Sequence, residues 1–388
     1  MPLTVETVEA ELEAANQEGD PAADALVSDL IDNREVDGVN DLFRTIGTLK
    51  PHMAMSELSN LPERLAQFLH DASEEPPDWS EADVKAAEGF FAHHHGVASM
   101  LQGTVGLIGT YLSPTGAFTL RSTGRLGGVE GPGRRLSQSS RLFIGMGDKD
   151  ALRNGTLAAT VTKVRLVHAS VRQLHTKSGT WDYAKWGEPV SQKYTTGAAC
   201  VFSVQILQAM KNLGVHVTKD DAQGFVCAWH YVNHYLGTPD KWLLPKDVDL
   251  VDRMWSIERE REWRASEDCT FMTAQALKFY KEQMLPPGSY EPFVAMVRTA
   301  LTDRYADMAG IPQSAVDLAA KPAAALHNIF SSTVGGLGGD SAKKAVGVNP
   351  YDEILGIASK AFNKVELYAL THDQDDQPQM HQELHDNR

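Results

Sequence analysis

Apolar residues recur three and four positions apart along most of this sequence, and runs of strict alternation are scarce. That period is helical, not extended, so the spacing predicts an all-α protein. The clearest segments are 22–32, 41–48, 60–71, 81–102, 156–176, 197–213, 219–236, 247–262, 266–284, 291–309 and 351–371. Start signals agree with two of them. Ser80 precedes "EADVKAAEGFF" with Asp83 three residues on, and Thr218 precedes "KDDAQGFVCAW" with Asp221 in the same place, the pattern of a side-chain N-cap. One stretch, 117–125, reads as a short hairpin arm. Glycine-rich loops are expected at 122–135 and 331–350. No internal repeat and no boundary signal divides the chain. The expected layout is a single multi-helix domain at 61–330, with an acidic helical extension at 1–60. A Gly/Ser-rich loop, a last helix and a polar tail follow at 331–388.

Charge narrows the partners. Lys and Arg number 36 against 51 Asp and Glu, for a net charge of −15. An acidic chain suits neither nucleic acid, whose phosphates need a basic surface, nor an anionic membrane surface. The first 20 residues hold five Glu and one Asp and no cation, which is not a secretory signal. The expectation is a cytoplasmic protein. From Gly96 to Leu120 there is no charge at all. The length could span a bilayer, but Gln102, Pro114 and five glycines point instead to a buried core segment without membrane insertion. Its small residues leave room for something to lie against it.

Motifs for common chemistries fail. "GVEGPGRR" has a phosphate-loop spacing from Gly128 to Gly133, but Arg134 and Arg135 stand where Lys and Ser/Thr belong. There is no G-x-S-x-G elbow. Cys200, Cys227 and Cys269 are far apart with no C-x-x-C pair, which excludes a zinc knuckle and fits a reducing compartment.

The histidines remain. His93, His94 and His95 are consecutive, so on a helix they diverge by about 100° and cannot all share one metal. His230 and His234 are four apart, a spacing that can chelate, yet no acid lies between them. His168 stands out by its neighbours. "VTKVRLVHASVRQLH", 161–175, reads as a helix with an apolar face at Val164, Val167, Val171 and Leu174. Arg165 and Arg172 flank His168 at i−3 and i+4. Two cations beside an imidazole hold it neutral, the form that binds iron or zinc. Two guanidiniums can also pair with a ligand's carboxylates. Haem offers both an iron and two propionates. The plainer alternative is a core histidine between arginines that anchor the helix to acidic neighbours.

"KVRLVHASVRQL" followed by "GTWDYAKWGEPVSQ" closely resembles the rubber oxygenases called latex-clearing proteins and their wider relatives, including the mycophenolic-acid pathway oxygenase. "PPDWSEADVKAAEGFF", "TLRSTGRLGG", "RRLSQSSRLF", "AWHYVNHYLGTP" and "MVRTALTDRYADMAGIP" extend the resemblance from about Leu61 to Pro312. It implies an all-α, globin-like core holding one haem b, with 61–330 as the haem-binding, oxygenase-like domain. His168 would be the axial metal ligand. Arg165 and Arg172 would belong to the cofactor site, either by pairing propionates or by fixing the helix. Arg135, Gln138 and Ser139 match the family's distal R-x-x-K-T stretch; a one-residue slip would bring in Arg134.

Two departures bear on the substrate. Gln138 replaces a lysine that can occupy the distal iron position, and the region of the family's distal glutamate, near Gly116–Thr119, has no acid. The resemblance therefore implies a haem b-dependent oxygenase or peroxygenase using O2 or peroxide on a small apolar substrate, an isoprenoid or another alkene, rather than on a polymer. Two rivals stay open. One is a haem or apolar-ligand carrier without turnover. The other is a non-haem metal enzyme using His230, His234 and one of His93, His94 and His95.

Overall fold

A computed structural model describes residues 5–33, 49–122, 142–143, 145–148, 150–285 and 287–314. The described residues are helical, with no strand among them. In chain order the helices are α1 (Val5–Asn16), α2 (Pro21–Asp32), α3 (Glu63–Ser73), α4 (Glu81–Leu101), α5 (Leu107–Tyr111), α6 (Pro114–Ser122), α7 (Thr156–Ser178) and α8 (Tyr183–Trp186). Then follow α9 (Gln192–Phe202), α10 (Val204–Asn212), α11 (Lys219–Tyr235), α12 (Val248–Glu262), α13 (Glu267–Phe279), α14 (Tyr290–Leu301) and α15 (Asp303–Met308).

The capping residues act as their spacing indicates. Ser80 Oγ accepts from the Asp83 backbone N–H at 3.4 Å, and Thr218 Oγ1 from that of Asp221 at 3.1 Å. Each satisfies a donor that the first helical turn leaves free. Two expected helices are broken. The segment 197–213 divides at Ser203 (φ −113°, ψ −89°) and 291–309 at Thr302 (φ 72°). The expected hairpin arm at 117–125 is helical through Ser122. There Thr119 Oγ1 returns to the Thr115 carbonyl at 2.8 Å, so the β-branched residues join a helical turn instead of a ladder. Residues 123–125, the expected helices at 41–48 and 351–371, most of the loop at 122–135 and all of that at 331–350 lie outside the described residues.

The main core lies between α4 and α11, which pack along each other. Phe90 stacks on Phe225 at 4.2 Å, and Trp229 on Phe202 at 5.5 Å. Most of the uncharged stretch 96–120 is buried in this core and the rest is half-buried. No described helix is long and apolar enough to cross a membrane. Its small residues are used for close packing: a Cβ at Gly106 would stand 2.7 Å from the Phe202 ring. The protein itself, through Phe202 of α9, occupies the room left there.

A second, smaller core holds α7. Ala23, Leu26, Val27 and Leu30 of α2, with Phe68 and Leu69 of α3, close over Leu166 and Ala169. α7 starts where it does because of Gly155, whose φ is +78°. A Cβ there would fall 1.5 Å from the Leu49 carbonyl oxygen, so glycine's lack of a side chain is a packing requirement as well as a conformational one.

Candidate functional site

α7 runs unbroken for 23 residues and carries His168 near its middle. Its two faces differ. Leu166, Ala169 and Arg172 are fully buried against α2 and its surroundings. Val164, Val167, His168, Val171 and Leu174 are each only half-buried. The apolar face read from sequence is thus half-buried, with Val164 packed against the main core, while the most tightly packed face carries an arginine. His168 shares its stripe with Val164 and Val171, one turn to either side.

The arginines are held by aspartates. Arg165 Nε and Nη2 donate to Asp20 Oδ2 at 2.5 Å and Oδ1 at 2.9 Å. Arg172 Nε donates to Asp24 Oδ1 at 2.7 Å, and its Nη1 to the Val190 carbonyl at 3.0 Å. Asp20 and Asp24 are one turn apart at the start of α2, where Asp20 also caps the helix by accepting from the Ala23 N–H. Burial pushes the Asp24 carboxyl up, against the pull of Arg172. The Arg165 guanidinium also lies over the Phe68 ring, 5.1 Å from its centroid.

The "GTWDYAKWGEPVSQ" segment belongs to the same clamp. The Trp181 indole donates to the Gly187 carbonyl at 2.9 Å. Asp182 caps α8. The Gln192 amide donates to the carbonyls of Gly19, at 2.7 Å, and Gly237, at 3.2 Å. These bonds join the end of α7, the α1–α2 connection and the end of α11. The motif therefore fixes the histidine helix from behind. The C-terminal end of α7 is held by α6: His175 Nε2 lies 3.3 Å from Ser122 Oγ, and the His175 ring packs on Trp181 at 4.5 Å. Burial lowers the His175 pKa, which keeps the ring neutral.

These residues fit haem at one point. A histidine on a half-buried apolar stripe, with its helix clamped from the opposite side, is a suitable axial donor. Arg165 and Arg172 match the helix-fixing role, since Asp20 and Asp24 hold them. Arg135, Gln138 and Ser139 lie outside the described residues, as does Arg134.

The remaining histidines separate. His230 Nδ1 is 2.5 Å from the Leu244 carbonyl and its Nε2 is 3.1 Å from Asp78 Oδ1. Both ring nitrogens are engaged, so the proposed chelate with His234 does not form among the described residues. Burial lowers the pKa of His234, helped by His230. His93 and His94 turn to Asp221, while His95 lies close to Gly147.

Besides the Asp20 and Asp24 clamp, sequence reasoning missed a buried acid without a hydrogen-bond partner for one of its oxygens among the described residues. Glu258 of α12 is 7% exposed, and its Oε2 is the unpartnered atom. Burial raises its pKa to about 7, helped by Glu262 and opposed by Lys193. Lys193 is ion-paired to Glu262. Nothing in "SIERERE" distinguishes Glu258 from the solvent-facing charges beside it.

The fold and the sequence both have known counterparts. A solved structure of a latex clearing protein in the closed state superposes with a TM-score of 0.72, at 21% identity, covering 91% of each chain. The rubber oxygenase of Streptomyces sp. (strain K30) is 28% identical over 229 residues, which are 58% of this chain and 54% of that protein. The chain thus spans about half the length of this curated relative. Residues 91–331, including all of α7 and the clamp segment after it, match a family profile, and the chain belongs to the family it describes: ER-bound oxygenase mpaB/B'/Rubber oxygenase, catalytic domain.

Proposed function

We propose that the protein is a haem b-dependent oxygenase or peroxygenase in which His168 would hold the haem iron. The observation that carries this reading is the asymmetry of α7. One face is locked to α2 by Asp20–Arg165 and Asp24–Arg172, and the other presents His168 among half-buried valines. Haem b, when bound, would supply the redox-active iron for oxygen transfer from O2 or peroxide. His168 would hold it through one ring nitrogen. Arg165 and Arg172 would set the position and tilt of that ring by fixing the helix. Arg135 and Ser139 would supply hydrogen-bond donors on the distal side, and Gln138 a neutral amide where the family has lysine. Family membership supports these three assignments through their place in the sequence between α6 and α7.

The substrate class proposed is a small apolar alkene such as an isoprenoid. Support comes from α6, where residues 115–119 are Thr, Gly, Ala, Phe and Thr, with no carboxylate to take an allylic proton. The buried Thr119 hydroxyl is committed to its own helix. The three cysteines are buried and free, which supports a reducing, cytoplasmic setting. Incubation with short isoprenoids and with polyisoprene latex, under O2 or peroxide, tests the reading through carbonyl and oxygenated products. Products from the short alkenes alone are expected. Efficient latex cleavage would overturn the substrate class, and haem retention without any product would favour a carrier.

A further inference from the structure

Away from α7, two histidines and a carboxylate converge between α4 and α11. His93 Nδ1 lies 3.3 Å from Asp221 Oδ1, and His94 Nε2 lies 3.6 Å from Asp221 Oδ2. One ligand atom from each of the three side chains lies within 4.8 Å of the other two. Adjacent helical positions diverge by about 100°. Asp221 spans that divergence by presenting one oxygen to each ring. Bonds of about 2.0–2.2 Å to a tetrahedral ion place neighbouring donor atoms about 3.3–3.6 Å apart, so the three donors, within 4.8 Å of one another, need to close in only slightly around an ion.

The carboxylate is oriented in advance. Thr218 Oγ1 donates to Asp221 Oδ2 at 2.8 Å and accepts from the Asp221 backbone N–H at 3.1 Å. Such outer hydrogen bonds usually accompany metal-binding carboxylates. The His94 ring packs against Phe90 at 5.2 Å and its side chain is 13% exposed, whereas that of His93 is 65% exposed. One ligand is thus fixed and the other can swing, which gives an ion a way in from solvent.

We propose that His93, His94 and Asp221 form a divalent metal site of the zinc type, with water in the fourth position, that pins α4 to the first turn of α11. Imidazole nitrogen with carboxylate oxygen is a donor set zinc accepts. Without an ion the two rings can only hydrogen-bond or ion-pair with the one carboxylate. Metal binding requires the rings neutral. The site is separate from His168 and does not depend on the haem assignment.

The full-length protein, stripped with a chelator, is dialysed against zinc chloride at pH 7.5, and zinc and iron are measured in the same samples. Wild type should take up one zinc per chain beyond the level of His93→Ala and Asp221→Asn. Affinity should fall by more than the roughly 10–100-fold that loss of an outer partner costs. Zinc should also raise the melting temperature of wild type and leave that of His93→Ala unchanged. His93 is exposed, so its variant retains the fold; Asp221→Asn keeps a side chain able to hydrogen-bond Thr218. Equal zinc uptake in wild type and both variants would overturn the site. Iron content reports on haem separately, so failure of one assignment is not read as failure of the other.

Discussion

Asp20 accepts two hydrogen bonds from Arg165, and it does so while capping α2. The histidine helix is therefore positioned by a residue 145 places earlier in the chain. The Asp20 side chain is 4% exposed and that of Arg165 16%, so the pair is largely out of water. Removing one partner of a buried pair leaves an uncompensated charge.

Asp20→Ala should accordingly cost about 3–5 kcal/mol of stability, part of it from the lost cap. Asp24→Ala should have a similar but smaller effect, since Asp24 is more exposed. Replacing both partners of the first pair, as in Asp20→Leu with Arg165→Met, should recover most of that loss. Denaturant unfolding of the haem-free proteins measures both. If Arg165→Ala instead lowers haem affinity and leaves haem-free stability unchanged, the arginine serves a propionate.

Gly155→Ala should be more damaging than a usual helix-start change. The substitution requires an unfavourable positive φ and puts a methyl group into the Leu49 carbonyl. A loss of about 4 kcal/mol or more is expected, in the range of severe backbone and packing defects. A melting temperature within a few degrees of wild type would show that the 49–50 segment yields freely.

Glu258 makes stability depend on pH. Its pKa rises from 4.5 to about 7 on folding, so between those values the folded state binds more protons than the unfolded one. Stability must then fall as pH rises through that window. At pH 8 the penalty is complete, up to about 3 kcal/mol. Glu258→Gln should remove this slope, stabilising the protein at pH 8 and hardly changing it at pH 4.5. Parallel pH–stability curves for the two proteins would contradict the assignment.

Much of the scaffold is readable from residues that are close in sequence. The helical period marks α2, α4, α7 and α11, and the Ser80 and Thr218 caps mark two of their starts. The breaks at Ser203 and Thr302 are not readable, because neither residue carries glycine or proline chemistry; tertiary packing imposes them. The strand-like reading of 117–125 follows from a short local alternation, which the α6 turn overrides by packing Phe118 on Trp181 and Trp186. The partners that hold α7 are hidden for a related reason. The residues that decide which face is buried, Asp20 and Asp24, lie far upstream and look like ordinary surface acids. Helical spacing singles out His168 and its flanking arginines, and the family resemblance adds their role, but their aspartate partners could be found only in three dimensions.

The central claim is that His168 holds the haem. His168→Ala should preserve the fold, because Leu166, Ala169 and the two arginines secure α7 from its other face. The most direct measurement is the visible spectrum and iron content of this variant beside wild type, with circular dichroism to confirm folding. Wild type should show a haem Soret band, and the folded variant should lose the band and the iron. A folded His168→Ala protein with full iron content and an unchanged Soret band would contradict the account.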